Sequence, residues 1–130
     1  MPEALVISIV DDDRPTGDAI GELVRSLGYR TAVFPSAEQF LESGRIGETA
    51  CLITDLQMPG MSGLDLQNRL RDEGFLTPVI FVSAFPEERY RTRALDAGAV
   101  AFLSKPFEEQ SLVACINAAL SGGSAQFGPN

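Results

Sequence analysis

Histidine is missing from the 130 residues of this chain. Without imidazole there is no histidine-based nucleophilic triad, no histidine-ligated metal and no histidine general base. Cysteine is scarce, with Cys51 and Cys115 the whole complement. The two stand far apart in apolar runs, in neither the pattern of a disulfide framework nor the spacing of a zinc site. Each is expected to behave as a small buried hydrophobe. Long apolar runs are also missing, since nothing approaches the about 18 consecutive residues of a transmembrane helix. The amino-terminal MPEALVISIVDDD has neither the basic region nor the cleavage site of a secretory signal. A cytoplasmic chain without membrane contact is expected. Basic residues are in the minority, ten against eighteen acidic ones, for a net charge of −8. With no cluster of Lys and Arg to meet a phosphate backbone, direct nucleic-acid binding is not expected. Arg89, Arg91 and Arg93 come close together, but Glu87 and Glu88 adjoin them, as on a solvated helix face.

What the chain does have is alternation. Short, nearly continuous apolar runs at Leu5–Val10, Thr31–Phe34, Ala50–Thr54, Val79–Val82 and Val100–Leu103 suit strands buried on both faces of a parallel sheet. Amphipathic helix patterns lie between them. The first carries Ile20, Leu23, Val24 and Leu27 on one face and stops at Gly28. The second starts at Ser36, a good N-cap. The third covers about Gly63–Glu73, the fourth about Glu87–Ala97 and the fifth about Glu108–Leu120. Asp13, with Pro15 close behind, fits the cap of the first helix. Five β-α units predict a single α/β domain over residues 1–121, with a doubly wound parallel sheet. The Gly- and Ser-rich residues 122–130 read as a flexible tail or linker stub.

In such sheets the binding crevice lies beyond the carboxyl ends of the strands. Strand one ends in Asp11-Asp12-Asp13, strand three in Asp55, strand four in Ser83 and strand five in Lys105-Pro106. Taken singly, each has an ordinary structural meaning: a helix cap, a turn former, a solvated hydroxyl, a surface lysine. Taken together they put carboxylates, a hydroxyl and an ammonium at one sheet edge. Asp11, Asp12 and Asp55 repel one another when close, unless a cation binds or protons are taken up. A hard divalent cation with oxygen ligands answers that repulsion, and Mg²⁺ is best completed by a phosphate oxygen. Lys105 and Ser83 then face the remaining phosphoryl oxygens. Asp55, at the end of the middle strand, is the candidate nucleophile for an aspartyl phosphate.

The segments IVDDD, ITDLQMPGMSGLDL, PVIFVSAF and ALDAGAVAFLSKPF closely resemble the receiver domain of bacterial two-component response regulators. PSAEQFLES and AGAVAFLSKPFEE are most similar to receivers of the FixJ type. The resemblance implies a flavodoxin-like (βα)5 fold with strand order 2-1-3-4-5 and phosphorylation of Asp55 by a sensor histidine kinase. It implies Mg²⁺ held by Asp12, Asp55 and the backbone carbonyl of Gln57, with Asp11 acting through water. It makes Ser83 the switch hydroxyl, Lys105 the phosphate-pairing lysine and Phe102 the aromatic switch. It also makes Lys105–Pro106 a candidate cis bond. Gln57 and Phe85, flanking the pocket, are expected to tune the phosphorylated lifetime by controlling water access. The implied protein is not a turnover enzyme. It is a stoichiometric phosphoacceptor that assists its own phosphorylation and dephosphorylation. The surface of the fourth helix, fifth strand and fifth helix would then control a homodimer or an output partner. FixJ-type receivers are usually joined to a DNA-binding output domain. None follows the fifth helix here, which suits a stand-alone receiver or a piece of a longer regulator.

Three rivals fit less well. A flavin carrier would cradle phosphate where this chain places three aspartates. A dehalogenase-like phosphohydrolase would need an Asp where Gln57 stands. A degenerate receiver that signals without phosphate would lack some of the expected residues, and all of them are present.

Overall fold

In a computed structural model of the chain, residues 5–84 and 87–121 are described. The expected tail at 122–130, and Phe85, lie outside the described residues. The apolar runs form strands β1 (Val6–Val10), β2 (Arg30–Phe34), β3 (Thr49–Asp55), β4 (Val79–Ser83) and β5 (Ala101–Ser104). All pair in parallel, in the order β2-β1-β3-β4-β5. This is the flavodoxin-like topology expected. Strands β1 and β4 are buried along their whole length, and β3 nearly so. β2 departs from the expectation of burial on both faces: Arg30 and Val33 are exposed. Its position explains this, because an edge strand has a neighbour on one flank alone. A 3₁₀ turn at Ile46–Glu48, which no sequence pattern announced, leads into β3. There the Thr49 hydroxyl donates to the Arg45 carbonyl and bonds the buried Ser8 hydroxyl at 2.6 Å.

Side chains alternate across the pleat, and the core splits accordingly. Ile7, Ile9, Cys51, Ile53, Ile80 and Val82 face helices α1 (Arg14–Ser26) and α5 (Glu109–Leu120). Val10, Leu52, Phe81 and Phe102 face α2 (Ala37–Glu42), α3 (Gly63–Asp72) and α4 (Glu88–Asp96). Both cysteines are buried and free, as expected, and burial pushes the Cys51 thiol up to about 12. Burying one Leu, Ile or Phe side chain is worth about 1.5–3 kcal/mol. Isolated helices shorter than roughly 12 residues are marginal in water. The six residues of α2 are therefore held by Ala37 and Phe40 in the core more than by helix propensity.

Side-chain caps set the starts of α1, α2 and α3. Asp13 accepts from the Thr16 N–H at the head of α1, and Ser36 accepts from the Gln39 N–H at the head of α2. Ser62 and Asp65 form a reciprocal capping box at α3: Ser62 Oγ accepts the Asp65 N–H at 3.1 Å, and Asp65 Oδ2 accepts the Ser62 N–H at 3.2 Å. Ser62→Ala is expected to lower stability by about 1 kcal/mol, read as the shift in urea-unfolding free energy. A change indistinguishable from zero would mean that the box adds nothing. The Lys105–Pro106 bond is cis, as the resemblance implied. No helix among the described residues is long and apolar enough to cross a membrane.

Candidate functional site

Each strand run hands its polar residue to one end of the sheet because a parallel sheet points all carboxyl ends the same way. Asp11 follows β1, Asp55 ends β3, Ser83 ends β4 and Lys105 follows β5. The Lys105 ammonium donates to Asp11 Oδ2 at 3.0 Å and lies 3.7 Å from Asp55 Oδ2. The Lys105 backbone N–H donates to the Ser83 carbonyl at 2.7 Å, fixing the residue over β4. Asp11 Oδ1 accepts the Asp13 N–H at 2.9 Å, and Asp55 Oδ1 accepts the Leu56 N–H at 2.8 Å. Asp11 and Asp55 are buried, and Asp12 is exposed at the rim. Carboxylate oxygens of Asp11, Asp12 and Asp55 all lie within 4.8 Å of one another. An open cleft of about 220 Å³, lined by Asp11, Asp12, Arg14, Asp18, Val33 and Pro35, adjoins them.

The structure thus brings Asp11, Asp12, Asp55 and Lys105 together. Ser83 is buried on the next strand, where Val82 pairs with Asp55. Gln57 is exposed two residues beyond Asp55. Phe102 is farther out, on the edge strand. Its ring is buried and tilted against Phe81, centroids 6.1 Å apart, and its carbonyl accepts from Arg91 at 3.3 Å. Arg91 is therefore bonded to the neighbouring strand, not simply solvated.

The electrostatics follow from burial and crowding. The Asp55 carboxyl is pushed up to about 6, first by burial and then by the negative charge of Asp11; Lys105 and the Leu56 N–H pull the other way. Bringing three carboxylates together against one ammonium leaves negative charge in excess. The donor set, all carboxylate oxygen, suits a hard cation such as Mg²⁺ and not a soft one.

Two residues that shape the site were not found from sequence. Gly63 opens α3, and its N–H donates to the Leu56 carbonyl at 2.8 Å. A Cβ there would sit 2.3 Å from the Asp55 carbonyl oxygen and 3.0 Å from a Phe81 ring carbon. A glycine eight residues after the candidate nucleophile, at a helix start, was a usable clue. Glu38 on α2 accepts the Met61 N–H at 2.9 Å from across the β3–α3 loop. A single acidic residue on an amphipathic helix gives no such clue.

Comparison with known proteins agrees with this geometry. The sequence profile of the response regulator receiver domain matches residues 7–117. The response regulator protein TodT of Pseudomonas putida is 44% identical over 117 residues, which cover 90% of this chain and 52% of that protein. The transcriptional regulatory protein FixJ of Azorhizobium caulinodans is 34% identical over 128 residues, covering 98% of this chain and 60% of that protein. The chain spans about half the length of the curated relatives it matches. Among solved structures, the crystal structure of FixJ-N superposes with a TM-score of 0.83 at 30% identity, over 93% of this chain and 97% of that one.

Proposed function

The chain belongs to the response regulator receiver domain family of two-component signalling, and from that premise we propose that it is a phosphorylation switch whose input is Asp55. One observation carries this: Asp55, Asp11, Asp12 and Lys105 converge at the carboxyl end of the central strands. Asp55 Oδ1 is occupied by the Leu56 N–H, so Oδ2, which faces Lys105, is the oxygen free to attack.

The donor is a phosphohistidine on a sensor kinase, approached through the cleft beside Asp11 and Asp12. Oδ2 attacks phosphorus and a P–O bond forms. The P–N bond breaks, its electron pair stays on the imidazole, and that nitrogen takes a proton. Bound by Asp12, Asp55, the Gln57 backbone carbonyl and, through water, Asp11, Mg²⁺ would supply positive charge to the phosphoryl oxygens. Lys105 shifts from pairing with carboxylates to pairing with phosphate, and the Ser83 hydroxyl donates to it. Hydrolysis reverses the state: water attacks phosphorus, the P–O bond to Asp55 breaks, and inorganic phosphate leaves. Gln57 in place of a carboxylic acid removes a general acid from that position, which suits a stoichiometric switch better than a turnover phosphatase.

Movement of Ser83 toward the phosphoryl group would bias Phe102 on the adjoining strand. On this reading the inward Phe102 ring matches the arrangement favoured after phosphorylation. The surface formed by α4, β5 and α5 would then select a second copy of the chain or an output partner. A linked DNA-binding output domain and control of transcription extend the reading by analogy with the transcriptional regulator FixJ. Residues 1–121 would act as the receiver, in the cytoplasm.

The test is intact-protein mass spectrometry after acetyl phosphate treatment. With Mg²⁺, one added phosphoryl group is expected; with EDTA, none. The adduct should be lost to hydroxylamine, as an acyl phosphate is, and borohydride reduction should mark position 55. A hydroxylamine-resistant adduct, or none under any condition, would overturn the proposal.

A further inference from the structure

The loop between β3 and α3, residues 56–62, follows the proposed phosphoacceptor directly. Its base is closed by Gly63 N–H to Leu56 carbonyl at 2.8 Å. Its outer side is held by α2. Glu38 Oε2 accepts the Met61 N–H at 2.9 Å, across 23 residues of sequence and in a partly buried setting. The backbone is shaped for this contact. Gly60, just before Met61, takes φ +76°, a conformation that side chains rarely adopt. Its missing side chain also leaves room, since a Cβ on Gly60 would stand 2.6 Å from Glu38 Oε2. Below the contact, Phe40 of α2 and Met58 of the loop share one apolar cluster.

We propose that Glu38 is a positioning residue for the phosphorylation site: its carboxylate latches the β3–α3 loop and so holds Gln57 where its backbone carbonyl can complete the metal site. This rests on the functional reading above. A carboxylate accepting a backbone N–H is a charge-assisted bond, stronger and shorter than a neutral one. Without it, the Met61 N–H has to find another partner, and the loop keeps its closed base, the Met58 packing and the Ser62 capping box but loses its polar tie to α2. Ligand groups held about 1 Å out of place lose much of their effect, so loosening a support acts on a site it never touches. Positive φ at Gly60 belongs to the same device, because a side chain there is strained and also displaces the carboxylate.

The experiment compares the full chain with Glu38→Ala, Glu38→Gln and Gly60→Ala. Hydrogen exchange at the Met61 amide in metal-free protein reads the latch without reference to phosphorylation. Glu38→Ala should exchange there about tenfold faster, while the amides of β3 stay protected. Its Mg²⁺ dissociation constant, by calorimetric titration, should rise about three- to tenfold. Its phosphorylation by acetyl phosphate should need correspondingly more Mg²⁺, with the rate at saturating Mg²⁺ close to wild type. Glu38→Gln, which keeps an acceptor oxygen, should recover most of the loss; Gly60→Ala should resemble Glu38→Ala. A Glu38→Ala protein with wild-type Met61 exchange and wild-type Mg²⁺ affinity would overturn the proposal, leaving the phosphorylation reading intact. A wild-type protein that binds no Mg²⁺ and takes no phosphoryl group would overturn both.

Discussion

Asp55→Asn is expected to abolish phosphoryl uptake and, in metal-free buffer, to leave the fold more stable than the wild type by about 2 kcal/mol at pH 7.5. The two effects share one cause. On the proposed function the carboxylate is the nucleophile, and an amide of the same shape cannot take that part. That carboxylate is also costly to keep charged where it stands, chiefly through burial and then through Asp11. In the folded protein Asp55 holds its proton up to about pH 6; the unfolded chain releases it near 3.8. Between those values the folded state binds more protons, so stability falls as pH rises through the window. The full interval corresponds to about 3 kcal/mol. Solvent at the open cleft reduces that to about 2 kcal/mol.

Urea unfolding in EDTA should therefore give matching stabilities for wild type and Asp55→Asn near pH 4 that separate by pH 7.5. Added Mg²⁺ should narrow the gap again, because a ligand at a hundredfold excess over its dissociation constant stabilises the form it binds by about 2.7 kcal/mol. An Asp55→Asn protein no more stable than wild type at pH 7.5 in EDTA would contradict the electrostatic account. One that still gained a phosphoryl group at the wild-type rate would contradict the assignment of the acceptor.

Gly63→Ala is expected to destabilise the protein by about 3 kcal/mol, a large effect for a single methyl group. Most glycine-to-alanine changes in a helix help, because alanine is the better helix former. Here the added Cβ would meet the Asp55 carbonyl oxygen at 2.3 Å, a Phe81 ring carbon at 3.0 Å and the Asp55 carbonyl carbon at 3.2 Å. None of these is the end of a flexible chain. The oxygen belongs to the last residue of the central strand β3, and the ring is fully buried. Relief requires α3 to back away, which breaks the Gly63 to Leu56 bond and moves the backbone that carries Asp55. Metal affinity should fall along with stability. Denaturant unfolding and Mg²⁺ titration of the same protein check both, and a loss below about 0.5 kcal/mol would show that the helix accommodates the methyl group.

Most of the fold was legible in sequence, for a physical reason. Strands buried on both faces are largely apolar, so β1, β3 and β4 stand out as nearly continuous apolar runs, with helical periods between them. β2 was found but its exposure was not: Arg30-Thr31-Ala32-Val33-Phe34 has the β-branched and aromatic content of a strand, and nothing local says that it lies at an edge. The 3₁₀ turn at Ile46–Glu48 is short and unpatterned, and only packing reveals it. At the site, Asp11, Asp12, Asp55 and Lys105 could be read because topology alone carries strand ends to one place. The contacts of Gly63 and Glu38 could not. They depend on which backbone atom lies within a few ångströms, and that is fixed by the path of a loop, which no periodicity encodes.

Lys105 follows an edge strand, yet its ammonium reaches the ends of β1 and β3 near the middle of the sheet, while its own backbone is tied to β4. The rim of the sheet is thereby roped to its centre over the top, in parallel with the ladder beneath. On the proposed function, a change of charge at Asp55 would pull on β5 through that rope directly and need not pass strand by strand. Lengthening the rope or cutting it, as Lys105→Met would, should leave the sheet paired and the messenger deaf.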